Sequence, residues 1–598
     1  MSAMCRGKGL QVLLFVVIAG VFLHEAMAVA SPERGPREQD AVSRMVLTFY
    51  YPWYGVPDGP GGAGRTVHWG RIDAANKDIA ASTDYPTLGA YDSHDAKLID
   101  QHCLWAKRAG IDAFIVSWWG HNSFSDRAMD KILDGCKRHG LTACIYYETV
   151  PRPRTAESAA EDIVKVLEKY GSHPSHLKVH GKPVVFVYGR ALQELGLTAW
   201  LEAIKIINAE YKGGVTPIGD QFSYGAARIF DGIHTYNTAG LLRGMEPGAA
   251  RKWAAETYPA WVKMGDEAGK ISALTVIPGY DDTKIRKPGL AVKRYDGELY
   301  RAQWEEAIKA DPHWVLITSF NEWHEGSEIE PSLEYKEQYI DLTAEYTKRF
   351  KAKKRAIRSR ADSGQFTEEQ KARLRGKFEQ IPVGVLPDAE SMALWWLLDM
   401  GVEAKVLTWE DVAKGLSREQ YAVLLYCAGE HYRRSVHKTG DVDDVLVGYL
   451  KAGGYVVFLP ALPWPFYYDE NDRTANRSSQ LGLTLRSGWE SPPADTRLDF
   501  VQPQRYLSRL PEKFPFPTGG DRRWRPFFAG DKHTSHTSLL VLRDADDNYL
   551  GDAVTYAELK GGGRIMYTWF GLLQGPYAEP VLYEVFDFLA SQIRRSAS

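Results

Sequence analysis

The sequence predicts an α/β protein in two parts, a (β/α)8 TIM barrel followed by a flavodoxin-like α/β domain. Three observations carry this. From residue 46 to about 350, short β-rich runs alternate with segments of helical period, the order that builds a parallel sheet. The runs number eight, with a helix after nearly every one, which is the count of a closed barrel. Beyond a charged stretch, a second and smaller alternation of strands and helices begins near residue 383.

The chain opens on a segment outside this pattern. Arg6 and Lys8 precede an apolar run over 12–23, and small residues follow as Ala26-Met27-Ala28 and Val29-Ala30-Ser31. That is the form of a secretory signal peptide, residues 1–30, cleaved near 28 or 30. Twelve apolar residues fall short of the roughly 20 that span a bilayer. A secreted or periplasmic protein with no membrane span after cleavage is expected.

The barrel is assigned to 31–350. Its strands are expected at 46–54, 113–119, 142–148, 183–188, 216–221, 232–237, 274–280 and 314–320. Helices are expected at 94–109, 125–139, 157–170, 193–211, 247–268, 298–310 and 334–350. After the first strand come some 40 residues rich in Gly, Pro and aromatics, from Gly55 to Tyr91, and a loop of that length in a compact domain is usually functional. Residues 351–378 read as an exposed helical connector, with Lys351, Lys353, Lys354, Arg355, Arg358, Arg360, Lys371, Arg373 and Arg375 interleaved with acidic residues. No nucleic-acid motif accompanies these charges.

The second domain, 379–598, shows strands at 383–386, 404–407, 423–427 and 456–459, with helices at 389–400, 409–418 and 442–452. An aromatic cluster (Trp464, Phe466, Tyr467, Tyr468), a pair of strands at 538–543 and 564–569 and a closing helix at 579–594 complete it. This pattern resembles the glutamine-amidotransferase-like domains appended to many secreted carbohydrate enzymes. Its cysteine, Cys427, stands in Tyr-Cys-Ala-Gly rather than in a Gly-x-Cys-x-Gly elbow, so no amidotransferase chemistry is expected. The domain is read as a brace or interface, a sugar-binding accessory or an oligomerisation surface.

Composition narrows the partner. The 598 residues carry 73 basic and 76 acidic side chains, a net charge of −3, with no basic footprint for nucleic acid. The 18 Trp, 32 Tyr and 22 Phe are abundant, and aromatic faces stack on the C–H faces of sugar rings. Cys103, Cys136, Cys144 and Cys427 remain after signal cleavage without metal-ligand spacing, so buried free thiols are expected rather than disulfides.

The chemistry concentrates where the eighth strand runs out, in Ile317-Thr-Ser-Phe-Asn-Glu-Trp-His-Glu-Gly-Ser-Glu-Ile-Glu-Pro331. Glu322 and Glu325 lie three apart, on one face if the turn is helical. Two such carboxylates can divide labour, one protonated as acid and one ionised as base, and glycoside hydrolysis needs that pair. Solvated loop glutamates are the plain alternative, but Asn321, Trp323, His324 and Gly326 at a strand end favour a site. His-Glu-Gly-Ser-Glu is not His-Glu-x-x-His, so neither a metal nor a cofactor is expected. Other strand ends bring Tyr51, Trp53, Tyr54, His68, Trp69, Trp118, Trp119, Glu148, Tyr188, Tyr236, Asn237, Tyr280 and Asp282. Aromatics and hydrogen-bonding groups at so many ends of one barrel suit a polyhydroxylated ligand.

The segments Tyr50-Tyr-Pro-Trp-Tyr54, His68-Trp69, Pro278-Gly-Tyr-Asp-Asp-Thr-Lys-Ile-Arg286 and Thr318-Ser-Phe-Asn-Glu-Trp-His-Glu-Gly326 together resemble glycoside hydrolase family 99 over about residues 46–350. That family contains endo-α-1,2-mannosidases and endo-α-1,2-mannanases on a (β/α)8 barrel. The resemblance implies an α-linked oligo- or polysaccharide substrate, with Glu325 as general acid. It implies Glu322 as the base that deprotonates the 2-hydroxyl of the −1 mannose, giving a 1,2-anhydro intermediate that water opens with retention. It carries Glu148 and Arg286 over with Asn321, Trp323 and His324 as substrate contacts. A family 71-like α-glucanase and a non-catalytic carbohydrate-binding protein on a hydrolase barrel are the alternatives.

Overall fold

The computed structural model describes residues 42–597 apart from 356–365, 438–439, 472, 475, 487–491, 493–495, 518–520 and 576. The signal segment, with Arg358 and Arg360 of the connector, lies outside the described residues. Eight parallel strands close into a barrel: β1 Met45–Tyr50, β2 Ala113–Trp118, β3 Thr142–Tyr147, β4 Lys182–Val187, β5 Thr216–Asp220, β6 Gly232–His234, β7 Ile271–Val276 and β8 Trp314–Ile317. Their order is β3-β2-β1-β8-β7-β6-β5-β4, and pairing of β3 with β4 completes the ring. Each strand ends one to four residues before its sequence pattern does, because the aromatic and polar residues at its end belong to the mouth.

Strand alternation decides which side chains face where. Leu47, Phe49, Ile115, Cys144, Tyr146, Phe186, Ile218, Ala273, Trp314 and Leu316 fill the barrel interior. Their neighbours Val46, Tyr50, Phe114, Val116, Trp118, Ile145, Tyr147, Val185 and Val315 pack outward against the helices. The helices are α1 Ala96–Arg108, α2 Phe124–His139, α3 Ala156–Tyr170, α4 Gly189–Leu195, α5 Leu197–Glu210, α6 Tyr224–Ile229, α7 Pro247–Glu267, α8 Glu298–Ala310 and α9 Gln338–Ala352. The helix expected over 193–211 is divided by Gly196, at φ +81°, into α4 and α5. The six-residue α6 is too short for a periodic signal and is held by its N-cap, Ser223, which accepts from Ala226 N.

The second sheet joins β9 Val383–Val385, β10 Lys405–Val406, β11 Val423–Tyr426, β12 Tyr455–Phe458, β13 Leu498–Val501, β14 Lys513–Pro515, β15 His533–Asp544, β16 Tyr549–Leu559 and β17 Arg564–Thr568. The order is β10-β9-β11-β12-β17-β16-β15-β13-β14. Its first five strands are parallel in the 2-1-3-4-5 order of a flavodoxin-like sheet. The other four extend it in antiparallel fashion. The two strands expected at 538–543 and 564–569 fall within β15 and at β17, and β16, which was not expected, lies between them. Its residues Gly551 (φ +115°), Asp552 and Ala553 and its irregular register with β15 hide it from a propensity count.

Helices α10 Glu368–Phe378, α11 Met392–Asp399, α12 Trp409–Ala413, α13 Asp441–Lys451 and α14 Ala578–Ala597 cover this sheet. Its carboxyl edge rests on the barrel. Asp388 N donates to Thr198 Oγ1 at 3.0 Å, Gly225 N donates to Glu390 O at 3.1 Å, and Arg228 pairs with Asp399 at 3.1 Å. Cys427 ends β11 fully buried, and burial pushes its thiol up to about 12. The four cysteines of the described residues are free and buried. Trp464 and Phe466 of the aromatic cluster are likewise core residues. Among the described residues no helix is long and apolar enough to cross a membrane.

Candidate active site

Beyond β8 the chain makes a tight polar turn that is tied down on three sides. Asn321 Oδ1 accepts from Tyr51 N at 2.8 Å, and its Nδ2 donates to Tyr51 O at 3.1 Å, which joins the turn to the end of β1. Glu322 N donates to Ser319 Oγ at 2.7 Å, and Glu325 N donates to Glu322 O at 3.3 Å, so the two glutamates sit one turn apart. Gly326 has φ +52°, and a Cβ there would stand 3.1 Å from the backbone N and O of Asp281. That close approach allows Asp281 N to donate to Glu325 O at 2.7 Å. From below, the buried Arg294 donates to Gly326 O at 3.1 Å, to Glu328 O at 2.9 Å and to the Glu328 carboxylate at 2.5 Å.

Both carboxyls line a cavity of about 600 Å³ at the carboxyl ends of the strands. Their surroundings differ. Glu322 is 2% exposed. Its Oε1 accepts from His324 N at 3.1 Å and from Tyr54 Oη at 3.4 Å. Its Oε2 is buried with no hydrogen-bond partner among the described residues. Burial first, and then the charge of Glu325, push the Glu322 carboxyl well above the usual range. Glu325 is instead fully partnered: Oε1 accepts both terminal nitrogens of Arg286 at 3.2 Å and Oε2 accepts Tyr236 Oη at 3.0 Å. Arg286 is held in turn by Asp282 Oδ2 at 2.5 Å and Tyr280 Oη at 2.7 Å. Burial opposes the ionised form of Asp282, but hydrogen bonds from Arg286, Leu290 N and Tyr280 hold it below the usual carboxylate range.

One wall is aromatic. Trp53 stacks on His68 with ring centroids 4.5 Å apart, and His68 on His324 at 5.2 Å. Burial, followed by the facing His324, pushes His68 down to about 4, so this stack is neutral at pH 7. The opposite wall is built on Glu148, which accepts from Ser117 Oγ at 2.6 Å and Arg190 Nη2 at 3.3 Å. Burial raises Glu148 to about 7 against both of those partners. Arg190 lies over the Trp119 ring at 4.7 Å, and Trp119 Nε1 donates to Ser117 Oγ at 3.0 Å.

Of the predicted substrate contacts, Tyr51, Trp53, His68, Trp119, Glu148, Tyr188, Tyr236, Arg286 and His324 line the cavity with the glutamate pair. The remaining eight stand behind its wall. Trp118 is the last residue of β2 and has outward parity, so its indole packs among the helices and donates to Asp126. Trp69 is fully buried, stacked on Tyr54 at 4.1 Å and anchored to Tyr91 O at 2.7 Å, which fixes the long first loop. Tyr54 and Asn321 position the turn that carries Glu322 and Glu325, and Trp323 is tied beneath it to Tyr91 Oη at 3.0 Å and Glu330 at 3.1 Å. Tyr280 and Asp282 carry Arg286, and Asn237 closes its own turn by accepting from Ala239 N at 2.6 Å. Tyr146, Arg190, Phe124 and Ile285 also line the cavity, the first two at strand ends that the sequence marks as aromatic and hydrogen-bonding, although none was assigned as a substrate contact. Strand parity would have found Tyr146, two residues before Glu148 on the same face.

Residues 41–354, just over half of the chain, match the family model described as glycosyl hydrolase family 99. The glycoprotein endo-alpha-1,2-mannosidase of Rattus norvegicus is 26% identical over 358 residues, covering 53% of this chain and 73% of its own length. The glycoprotein endo-alpha-1,2-mannosidase-like protein of Homo sapiens is 28% identical over 326 residues, covering 48% and 68%. The solved GH99 endo-alpha-mannosidase from Bacteroides thetaiotaomicron aligns at 27% identity and TM-score 0.45, over 53% of this chain and 100% of that one. The family match ends before β9 begins.

Proposed function

The chain belongs to glycosyl hydrolase family 99 and is a glycoside hydrolase, and from that premise we propose that it is a secreted or periplasmic, endo-acting α-mannosidase that retains anomeric configuration. Its substrate is an α-1,2-linked mannan or a glucosyl-mannose glycan. The relatives' activity and the aromatic, uncharged wall of Trp53, His68 and His324 support this substrate class; the signal-like residues 1–30 support export.

In this reading the 2-hydroxyl of the −1 mannose donates to Glu322 Oε2, the buried oxygen without a partner. Glu322 takes that proton as O2 attacks C1, and Glu325 gives its proton to the departing glycosidic oxygen, which leaves as an alcohol. Water then opens the 1,2-anhydro sugar at C1, losing a proton to Glu325, while Glu322 returns one to O2. A base with raised proton affinity suits abstraction from an alcohol. Burial, followed by the charge of Glu325, raises the proton affinity of Glu322. A hydrogen bond from the 2-hydroxyl of the bound glycan favours ionised Glu322, which leaves Glu325 to serve as the acid.

The observation that carries the proposal is the pairing of two carboxyls on one turn, one desolvated and one clasped by Arg286 and Tyr236, at the mouth of one cavity. Hydrolysis of a panel of α-linked oligosaccharides, with product anomers followed by NMR, tests it. Retained-anomer oligosaccharides from α-1,2-mannosides support it; cleavage of α-1,3-glucan alone, or no turnover, overturns it.

A further inference from the structure

The second sheet has a cavity of its own at the edge turned away from the barrel. It measures about 430 Å³ and is enclosed by the starts of β12 and β17, the residue before β11, the residues after α10 and the last turns of α14. That volume falls in the range of small-molecule sites, roughly 300–1,000 Å³. Three arginines line it, Arg418, Arg564 and Arg594, against one carboxylate, Glu379.

The arginines are differently placed. Arg594 donates to Gly376 O at 2.7 Å, which fixes its head, and Arg564 stands 3.5 Å from Glu558. Arg418 has neither a hydrogen bond nor an ion pair among the described residues. Its guanidinium lies against Gly453, where an added Cβ would come within 3.2 Å of Nη1. Gly453 has φ +84°, so the backbone there both requires glycine and leaves room for that head. Tyr455, at the start of β12 and 3% exposed, also lines the cavity, and its buried hydroxyl has no hydrogen-bond partner among the described residues. Burial keeps this phenol neutral and therefore able to donate. The unpaired hydroxyl of Tyr455 and the guanidinium of Arg418, which has no carboxylate partner among the described residues, border the same cavity, and an anionic ligand would satisfy both.

We infer that this cavity binds a small oxyanion, phosphate, sulfate or carboxylate, free or carried on a sugar, with Arg418 and Arg594 clasping the anion and Tyr455 donating its hydroxyl. Guanidinium forks match these planar and tetrahedral oxyanions in bidentate fashion. The site is separate from the glutamate pair and stands whether or not the substrate reading holds.

Calorimetric titration of the whole protein with inorganic phosphate, sulfate, glucose 6-phosphate and glucuronate, with glucose as the neutral control, tests it. Saturable binding of at least one anion, absent for glucose and weakened by added salt, is expected. Arg418→Ala should weaken it about tenfold or more, the effect of one lost charge-assisted hydrogen bond, and Tyr455→Phe more modestly. Arg418→Ala should unfold at the wild-type temperature and Tyr455→Phe at or above it, and both should hydrolyse glycan at the wild-type rate. Tighter binding of glucose 6-phosphate than of phosphate supports an anionic sugar, and equal binding supports the bare anion. The inference is overturned if no anion binds at millimolar concentration, or if the two variants bind as the wild type does.

Discussion

Arg286 sets both terminal nitrogens 3.2 Å from Oε1 of Glu325. The contact crosses from the loop after β7 to the turn after β8, so the placement of one carboxyl of the pair depends on a neighbouring loop. Glu322 has no such partner and answers to burial instead.

Glu322→Gln and Glu325→Gln should each lower kcat by about 10²–10⁴-fold, the usual worth of a positioned acid or base, with unchanged circular dichroism. Steady-state kinetics on an α-mannoside checks this. A wild-type rate in either variant would reject the assignment.

Asp282→Asn removes the carboxylate that holds Arg286 at 2.5 Å. A lost charge-assisted hydrogen bond of about 1.5–3 kcal/mol corresponds to a fall of about 10–100-fold in kcat/KM. Arg286→Gln goes further and strips the positive charge from Glu325. An opposite charge favours the ionised carboxylate, so its removal should move the limb of the pH–rate profile governed by the pair to higher pH. An unshifted profile would show that Arg286 does not set the pair's titration.

Glu148 has a folded pKa of about 7, raised by burial, against about 4.3 when unfolded. The folded state binds more protons between those values. Stability from Glu148 is therefore fully present below about pH 4.3 and lost as pH rises towards 7. Glu148→Gln should remove that decline, so that its thermal midpoint gains on the wild type between pH 5 and 7 and the difference levels off above. Parallel melting curves throughout would contradict it.

Gly326→Ala forces a side chain into φ +52° and brings its Cβ 3.1 Å from the Asp281 backbone. A cost of about 1–2 kcal/mol in stability is expected from the left-handed conformation alone. Because the same contact seats Glu325, kcat should fall as well. Thermal unfolding and kinetics on one preparation would show whether both effects occur.

Much of this was legible in the sequence because the barrel strands are β-branched and aromatic and their helices are strongly periodic. The turn that carries Glu322 and Glu325 was legible through residue types that have few other uses together at a strand end. Parity was harder to see: Trp118 and Trp119 are neighbours, yet one packs outward on Asp126 and the other lines the cavity. Residues such as Trp69, Asn321 and Trp323 are chemically suited to sugar, and only tertiary packing shows that they brace the site instead. The antiparallel extension of the second sheet was illegible for another reason: β16 is bulged and glycine-bearing, so it relies on its neighbours rather than on its own propensity.

The double hydrogen bond between Asn321 and the Tyr51 backbone joins the two ends of the barrel in sequence, 270 positions apart. Translation delivers those ends in order, and the pocket has no proton donor or acceptor pair until the later one arrives. On the proposed assignment of Glu322 and Glu325, a nascent chain is therefore silent through almost the whole synthesis of the barrel, and a truncation short of the last strand is expected to give an inert product rather than a weakened enzyme.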